Sequence, residues 1–402
     1  MPRCKTICEI YSIECPHNAD ELTDIKLYRT TKDYCDDLVN NGSYLHRLDD
    51  YPLSDLGNAQ RLVLDYGEYL RYCYPNQDWY MWDGGVWNKD QAGTIYQKAK
   101  ATVKKMLLQL QLIENPDEKK RFFNFILKSE NQGGLKAMVE SATNEPGIPI
   151  DFNCFDTHKD LVCLSNGIID LRDGSLMPHD KELYITKQLS YSYNPDATCD
   201  KFVSFLNQIF DNNQELINFM QRMLGYSLTG HTSEQVFCIL YGHGSNGKGT
   251  LIDTIMGVME VLAKTTEPDT IIKKKYERSS TNDLADLKGA RLVATSENEA
   301  YQEIDEGRIK RITGQDRVKC RFLYHEHFEY IPEYTLFLLT NHEPIIKSQD
   351  HSIKRRVLKV PFNVTITKEN WDLSLRDKLL SEKEGIFNWL VQGAIEWYNN
   401  GL

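Results

Sequence analysis

The chain has 402 residues, 41% of them apolar and 26% charged, with a formal net charge of −11. That length holds two or three domains with ample buried core, and the balance is that of an ordinary soluble globular protein. The negative charge argues against a protein that coats nucleic acid by bulk attraction, though not against one that grips it through a local basic patch.

No apolar run approaches the ~20 residues of a membrane span. The N-terminal MPRCKTICEI lacks the apolar core and cleavage site of a signal peptide. Residues 1–50 read as a leader with few periodic apolar runs. The leader carries Cys4, Cys8, Cys15 and His17, with Cys35 further on, but without the paired CxxC spacing of zinc sites. The simpler expectation for the ten cysteines is free thiols in a reducing compartment, with Cys163, Cys238 and Cys320 buried in apolar strands.

LSDLGNAQRLVLDYGEYLRYC, from residue 53, predicts a helix capped by Ser54 or Asp55, with Ala59, Leu62, Val63 and Tyr66 at helical spacing. In WYMWDGGVWNKD, aromatics flank Asp83-Gly84, a two-residue hairpin turn, and those aromatics are read as core rather than as a base-stacking platform. Residues 91–145 read as helical, and NGIIDLRDGSLMPH, 166–179, repeats the hairpin pattern around Asp173-Gly174. Two amphipathic helices follow in 201–230.

A different organisation then starts. The apolar run QVFCILY, 235–241, ends on GHGSNGKGT, and TLIDTIMGVMEVL, 250–262, has helical periodicity. Strand, glycine loop and helix are the context of a phosphate-binding loop, in which backbone N–H groups form an anion nest at a helix N-terminus. The candidate nucleotide-binding residues are Gly242, Gly244, Ser245, Asn246, Gly247, Lys248, Gly249 and Thr250. Lys248 supplies the charge for the β- and γ-phosphates. Gly249 stands where a metal-ligating Ser or Thr is usual, so Thr250 is the substitute hydroxyl, ~100° round the helix.

Further apolar strands are expected at RLVATSE (291–297), YTLFLLTN (334–341) and KRRVLKVPF (354–362), which together imply a mainly parallel α/β sheet. Each ends or begins on polar chemistry. Glu297 and Glu299 follow the first, placed to hold magnesium and direct the attacking water. Asn341 ends the second as a sensor of the γ-phosphate, and Arg355 and Arg356 precede the third as candidate fingers acting in a neighbouring subunit. Between them, DRVKCRFLYHEHFEYIPEY alternates Val318, Cys320 and Phe322 with Arg317, Lys319 and Arg321. This predicts a hairpin with one buried and one basic face, whose tip around Tyr324, His325 and His327 suits single-stranded nucleic acid. LysLysLys at 273–275 reads as a solvated face, and residues 363–402 as helical from Trp371 to Trp397.

The motifs LSDLGNAQR, WDGGVW, NEPGIPI, NGIIDLRDG, YSLTGHTSEQ, GHGSNGKGT, NDLADLKGARLVATSE, ITGQDRVKCRFLYHEHFEYIP, LLTNHEP and RRVLKVPF occur in that order between residues 53 and 362. In this order they resemble the superfamily 3 helicases. The closest likeness is to the helicase part of phage and plasmid primase-helicases, related to the poxvirus-type NTPase. The resemblance implies a leader at 1–50, a helicase-associated domain at 51–195, an AAA+-like ATPase at 196–362 and a C-terminal helical segment at 363–402. It also implies ATP and Mg2+ as cofactors, with Thr250 and Glu297 on the metal, and a homo-hexameric ring moving 3′→5′ on single-stranded DNA threaded through its channel. Lys319, Arg321, Tyr324, His325 and His327 would line that channel, and Lys310 would approach a neighbour's nucleotide. The expected setting is the cytoplasm of a bacterial host or an infected cell. A separate primase is an expected partner, because fifty residues ahead of LSDLGN do not hold one. The end at EWYNNGL leaves either a minimal helicase or a piece of a longer chain. A replication loader that does not unwind, and a nucleoside-monophosphate kinase sharing GxGxxGKGT, are the alternatives.

Overall fold

The computed structural model describes residues 51–110, 113–273, 282–297, 303–321, 327–346 and 351–402, apart from the side chains of residues 108 and 297. The candidate zinc ligands Cys4, Cys8, Cys15 and His17, the carboxylates of Glu297 and Glu299, the hairpin-tip residues Tyr324 and His325, and Lys274 and Lys275 therefore lie outside the described residues. By internal contacts the chain divides into two units, one of Met1–Asp83 with Asn88–Phe152 and one of Gly84–Trp87 with Asn153–Leu402.

In the first unit, α1 (Asp55–Tyr66) begins where the Ser54 hydroxyl accepts the N–H of Gly57 at 3.2 Å, which is the expected cap. The antiparallel strands β1 (Leu70–Cys73) and β2 (Asp78–Trp82) pair Leu70 with Met81, and β3 (Trp87–Lys89) completes a three-stranded sheet. Three helices follow: α2 (Thr94–Gln109), α3 (Pro116–Glu130) and α4 (Gln132–Ala142). Pro116 enters α3 at a position where a missing N–H costs nothing, and Asn115 caps it by accepting from Asp117 N and Glu118 N. Leu62, Trp79, Val103, Met106, Ile126 and Met138 form the core. Trp79 is thus a packing residue, as the sequence implied.

The second unit starts with a small antiparallel sheet, β4 (Leu161–Leu164), β5 (Gly167–Asp170) and β6 (Leu176–Met177), whose β5–β6 turn carries Asp173-Gly174. The amphipathic helices α5 (Asp200–Ile209) and α6 (Gln214–Leu228) lead to β7 (Phe237–Tyr241) and α7 (Lys248–Met259). After them come β8 (Ala263–Thr265), α8 (Asn282–Asp286), β9 (Leu292–Glu297) and α9 (Glu306–Thr313). The hairpin β10 (Val318–Cys320) and β11 (Phe328–Tyr330) precedes β12 (Thr335–Thr340), α10 (His351–Lys354) and β13 (Val357–Pro361). Helices α11 (Leu375–Leu380) and α12 (Lys383–Asn400) close the chain.

Five strands form one parallel sheet in the order β13-β7-β12-β9-β8. The fold is α/β, with the strand that leads into the glycine loop between the strand that ends at Thr340 and the strand that starts after Arg356. Successive side chains of a strand point to opposite faces. Accordingly Cys238, Leu240, Phe337 and Leu339 pack into one core with α5, α6, α7 and α12. Phe237, Ile239, Leu336 and Leu338 pack into another with α8, α9 and the β10–β11 hairpin. A sheet covered on both faces explains why these strands read as unbroken apolar runs rather than alternating ones. Part of the first core comes from Val162, Leu164, Ile169 and Leu189, which ties the small sheet to the five-stranded one. Among the described residues the thiols of Cys163, Cys238 and Cys320 are buried and free.

Candidate nucleotide-binding site

The loop between β7 and α7 is shaped by three residues with positive φ, Gly242 at 145°, Ser245 at 61° and Gly247 at 85°. At Gly242 a Cβ would lie 2.3 Å from the Phe362 carbonyl oxygen, and at Gly247 one would lie 2.5 Å from Ile209 Cγ2. These two glycines are required by close packing as well as by conformation. Gly244 and Gly249 differ, since a Cβ at either would meet nothing within 4 Å. The position that usually carries the metal-ligating hydroxyl is therefore open in space and lacks only the side chain.

Lys248 opens α7 with its side chain buried. Its ammonium donates to the carbonyl oxygen of Gly242 and, at 3.1 Å, to Asn246 Oδ1. Burial lowers the Lys248 pKa from its usual value. Asn246 organises the loop, because its Nδ2 also donates to Phe362 O at 3.2 Å. The segment after β13 makes a second attachment, Ile366 N to Ser245 O at 2.7 Å. This strap runs extended with a short turn at Lys368–Asn370, so the helix expected from Trp371 begins only at Leu375. Attachment to the phosphate loop is the physical reason, since backbone groups bonded to the loop cannot also close a helical ladder.

The register across the sheet fixes the rest of the site. Tyr241, Thr340 and Glu297 are paired in one row at the carboxyl ends of β7, β12 and β9. Neighbouring strands lie about 4.8 Å apart, so the backbone of Glu297 stands two strands, about 10 Å, from the start of the glycine loop. Asn341 follows Thr340 directly, at the head of a turn in which the Thr340 hydroxyl donates to His342 O at 2.7 Å. The loop, Glu297 and Asn341 thus share one sheet edge.

The two arginines stand at the other end. Phe237 N donates to Arg356 O at 2.8 Å, so Arg356 is level with the start of β7, about 13 Å from Tyr241 at ~3.3 Å per residue. Arg356 is buried and donates through Nη1 to Thr313 Oγ1 at 3.1 Å and Gln235 O at 3.3 Å. Burial, then the charge of Arg355, lowers its pKa. Arg355 is exposed and donates to Gln235 Oε1 at 2.6 Å. The hairpin shows the expected alternation, with Val318 and Cys320 buried and Arg317, Lys319, Arg321 and His327 exposed.

Residues 59–211 match a family described as D5 N terminal like, and residues 240–356 match a family of unknown function, DUF5906. The chain is 26% identical over 360 residues to a helicase-named protein of Acanthamoeba polyphaga mimivirus, L207/L206, covering 82% of this chain and 37% of that protein. It is 24% identical over 341 residues to the helicase-named 184R of Invertebrate iridescent virus 6, covering 78% of this chain and 33% of that one. These matches support a likeness to the phage-type primase-helicase family. It spans about a third of the length of these two helicase-named relatives. The apo structure of the NrS-1 C terminal region covers 80% of this chain and 65% of its own, at 11% identity and a TM-score of 0.47, a likeness too slight to bear on the site. The first family match begins within α1 and the second spans β7 to Arg356, so the primase-helicase resemblance falls on both units. Sequence reasoning missed the strap, because its partners Ser245 and Asn246 lie more than a hundred positions earlier in the chain. It also missed Gln235 and Thr313, which hold the arginines and carry no motif.

Proposed function

We propose that this chain is the motor part of an ATP-dependent DNA helicase acting in replication. The observation that carries the reading is the row Tyr241–Thr340–Glu297, which gathers the glycine loop, an acidic strand end and Asn341 at one sheet edge. Lys248 and the N–H groups of residues 244–249 hold the phosphates, with the loop's backbone turned inward by Ser245 and Gly247. The hard oxygen donors available, the Thr250 hydroxyl and the Glu297 carboxylate, suit Mg2+, which when bound neutralises charge on the β- and γ-phosphates. Glu297 or Glu299 orients the attacking water, and Asn341 senses the γ-phosphate.

The finger is Arg355. Arg356 is buried and committed to Thr313 and Gln235, whereas Arg355 is exposed and held only through a side-chain amide. Neither reaches the loop of its own copy across about 13 Å of strand. The site is therefore completed by a second copy, in a ring for which a hexamer is the expected size and 3′→5′ the expected direction. The exposed Lys319, Arg321 and His327 are the described residues proposed to contact the DNA strand in the channel, so a chain of net charge −11 needs to be basic only there. Lys310, near the end of α9, lies on the approach to the neighbour's nucleotide.

The test is ATP hydrolysis with and without single-stranded DNA, together with strand displacement on a forked duplex. Hydrolysis should rise with DNA, and Lys248→Ala should abolish both hydrolysis and displacement. Unwinding that survives Lys248→Ala would refute the reading. Hydrolysis without displacement would leave the ATPase site and identify a loader.

A further inference from the structure

The strap that follows β13 does more than brace the phosphate loop. It is attached at two points, Phe362 O to Asn246 Nδ2 at 3.2 Å and Ile366 N to Ser245 O at 2.7 Å. At Ser245 the backbone is left-handed, φ 61°, which turns its carbonyl outward to the strap. Past Ile366 the chain makes one tight turn, Lys368–Asn370, and folds back. Trp371 then donates its indole N–H to Ile366 O at 3.1 Å. The ring is fixed in orientation and stands two hydrogen bonds from the loop. It is nevertheless 50% exposed, and Leu373, two residues on, is 96% exposed.

Leaving a tryptophan half in water forgoes the gain of burying its apolar surface. A half-exposed ring held by its polar edge is suited to stack on a planar ligand. The ligand that the loop would bring beside it is the nucleotide. With phosphates in the N–H nest, a base that follows the strap tied at Ser245 and Asn246 reaches Trp371.

We infer that Trp371 is the stacking residue for the nucleobase, and that the Phe362–Trp371 strap is the base-binding side of the site. This rests on the nucleotide-binding reading above. The phosphate loop recognises only phosphates, so Trp371 supplies affinity that any purine or pyrimidine base shares, since every base has a π face. The asparagine that orders the loop, Asn246, also anchors the strap. The base and phosphate halves of the site are thus connected through one side chain.

The test compares a ligand that has a base with one that has none. The whole chain and Trp371→Ala are titrated by calorimetry with ADP and, separately, with inorganic pyrophosphate. The expected result is about tenfold weaker ADP binding in Trp371→Ala, from the value of one base–aromatic stack, with pyrophosphate unchanged. Trp371→Phe should recover most of the loss. Equal ADP affinity in Trp371→Ala overturns the stacking role and leaves the nucleotide reading standing. An equal loss of ADP and pyrophosphate assigns Trp371 to bracing the loop and also overturns it. An unsubstituted chain that binds neither ligand overturns the nucleotide reading itself, and stacking with it. Should Trp371→Ala fail to fold, Trp371→Leu keeps the apolar bulk without the π face and is read the same way.

Discussion

Two glycines of the phosphate loop, two residues apart, should respond oppositely to the same added methyl group. At Gly247 alanine meets two costs. The left-handed φ of 85° costs about 1–2 kcal/mol for a residue with a Cβ. The new atom would stand 2.5 Å from Ile209 Cγ2 and 3.3 Å from the Phe205 ring, and overpacking of that kind costs about 1–3 kcal/mol. Gly247→Ala should therefore destabilise the loop by roughly 2–5 kcal/mol and weaken nucleotide binding accordingly. At Gly249 the backbone is already helical and no atom lies within 4 Å of an added Cβ. Replacing glycine by alanine inside a helix gains up to about 1 kcal/mol. Gly249→Ala should leave stability equal or raised, and Gly249→Ser should place a hydroxyl at the usual metal-ligand position without strain. Scanning calorimetry of the three variants, followed by ADP titration with and without Mg2+, reads both effects. If Gly249→Ala unfolds as readily as Gly247→Ala, the open position at 249 is not real and the loop geometry argued from it fails.

The arginine pair separates by variant. Arg355→Ala should melt like the parent and bind ATP, yet lose about 10³-fold or more in turnover. Arg356→Ala should instead lose about 1–3 kcal/mol of stability, because two hydrogen bonds to a buried cation disappear; unchanged melting would show that Arg356 is not structural. At Asp160, burial works to raise the carboxyl pKa, but hydrogen bonds from Tyr398 and from His231, whose Nε2 lies 2.5 Å away, hold it below its usual value. A carboxylate with a lowered folded-state pKa stabilises fully above its unfolded value and loses that contribution as pH falls through the folded one. Asp160→Asn should thus cost about 1.5 kcal/mol near neutrality and flatten the acid limb of a melting-temperature profile below about pH 4; parallel profiles for parent and variant would contradict it.

Much of the second unit was legible because its physics is local. β7 and β12 are largely continuous apolar runs, and a sheet covered on both faces produces that pattern. The β10–β11 hairpin announced itself by strict alternation, and the Ser54 cap by residue type. β8 did not, because Ala263–Thr265 is three residues long and owes its strand state to backbone pairing with β9. The helix expected from Trp371 begins only at Leu375, because the strap before it is tied to Ser245 and Asn246. The sequence could not distinguish Arg355 from Arg356 either. Adjacent residues of one type differ only in what the fold puts beside them, here Thr313 for one and solvent for the other.

That last contact also indicates how a finger could move a hairpin. Arg356 is bonded to Thr313, the final residue of α9, and β10 begins five positions later at Val318. Among the described residues the buried guanidinium's Nε has no hydrogen-bond partner, and its contacts to Gln235 and Thr313 are both made by Nη1. Arg355 is the next residue in the chain. On the proposed function, a pull on Arg355 by a neighbour's γ-phosphate is delivered through one peptide bond to Arg356, through Thr313 to α9, and so to the base of the basic hairpin. The amino end of the sheet would then be the mechanical output, and the carboxyl end, with its loop, Glu297 and Asn341, the chemical input. A parallel sheet keeps those ends apart within one copy, and on the proposed function a second copy closes the cycle.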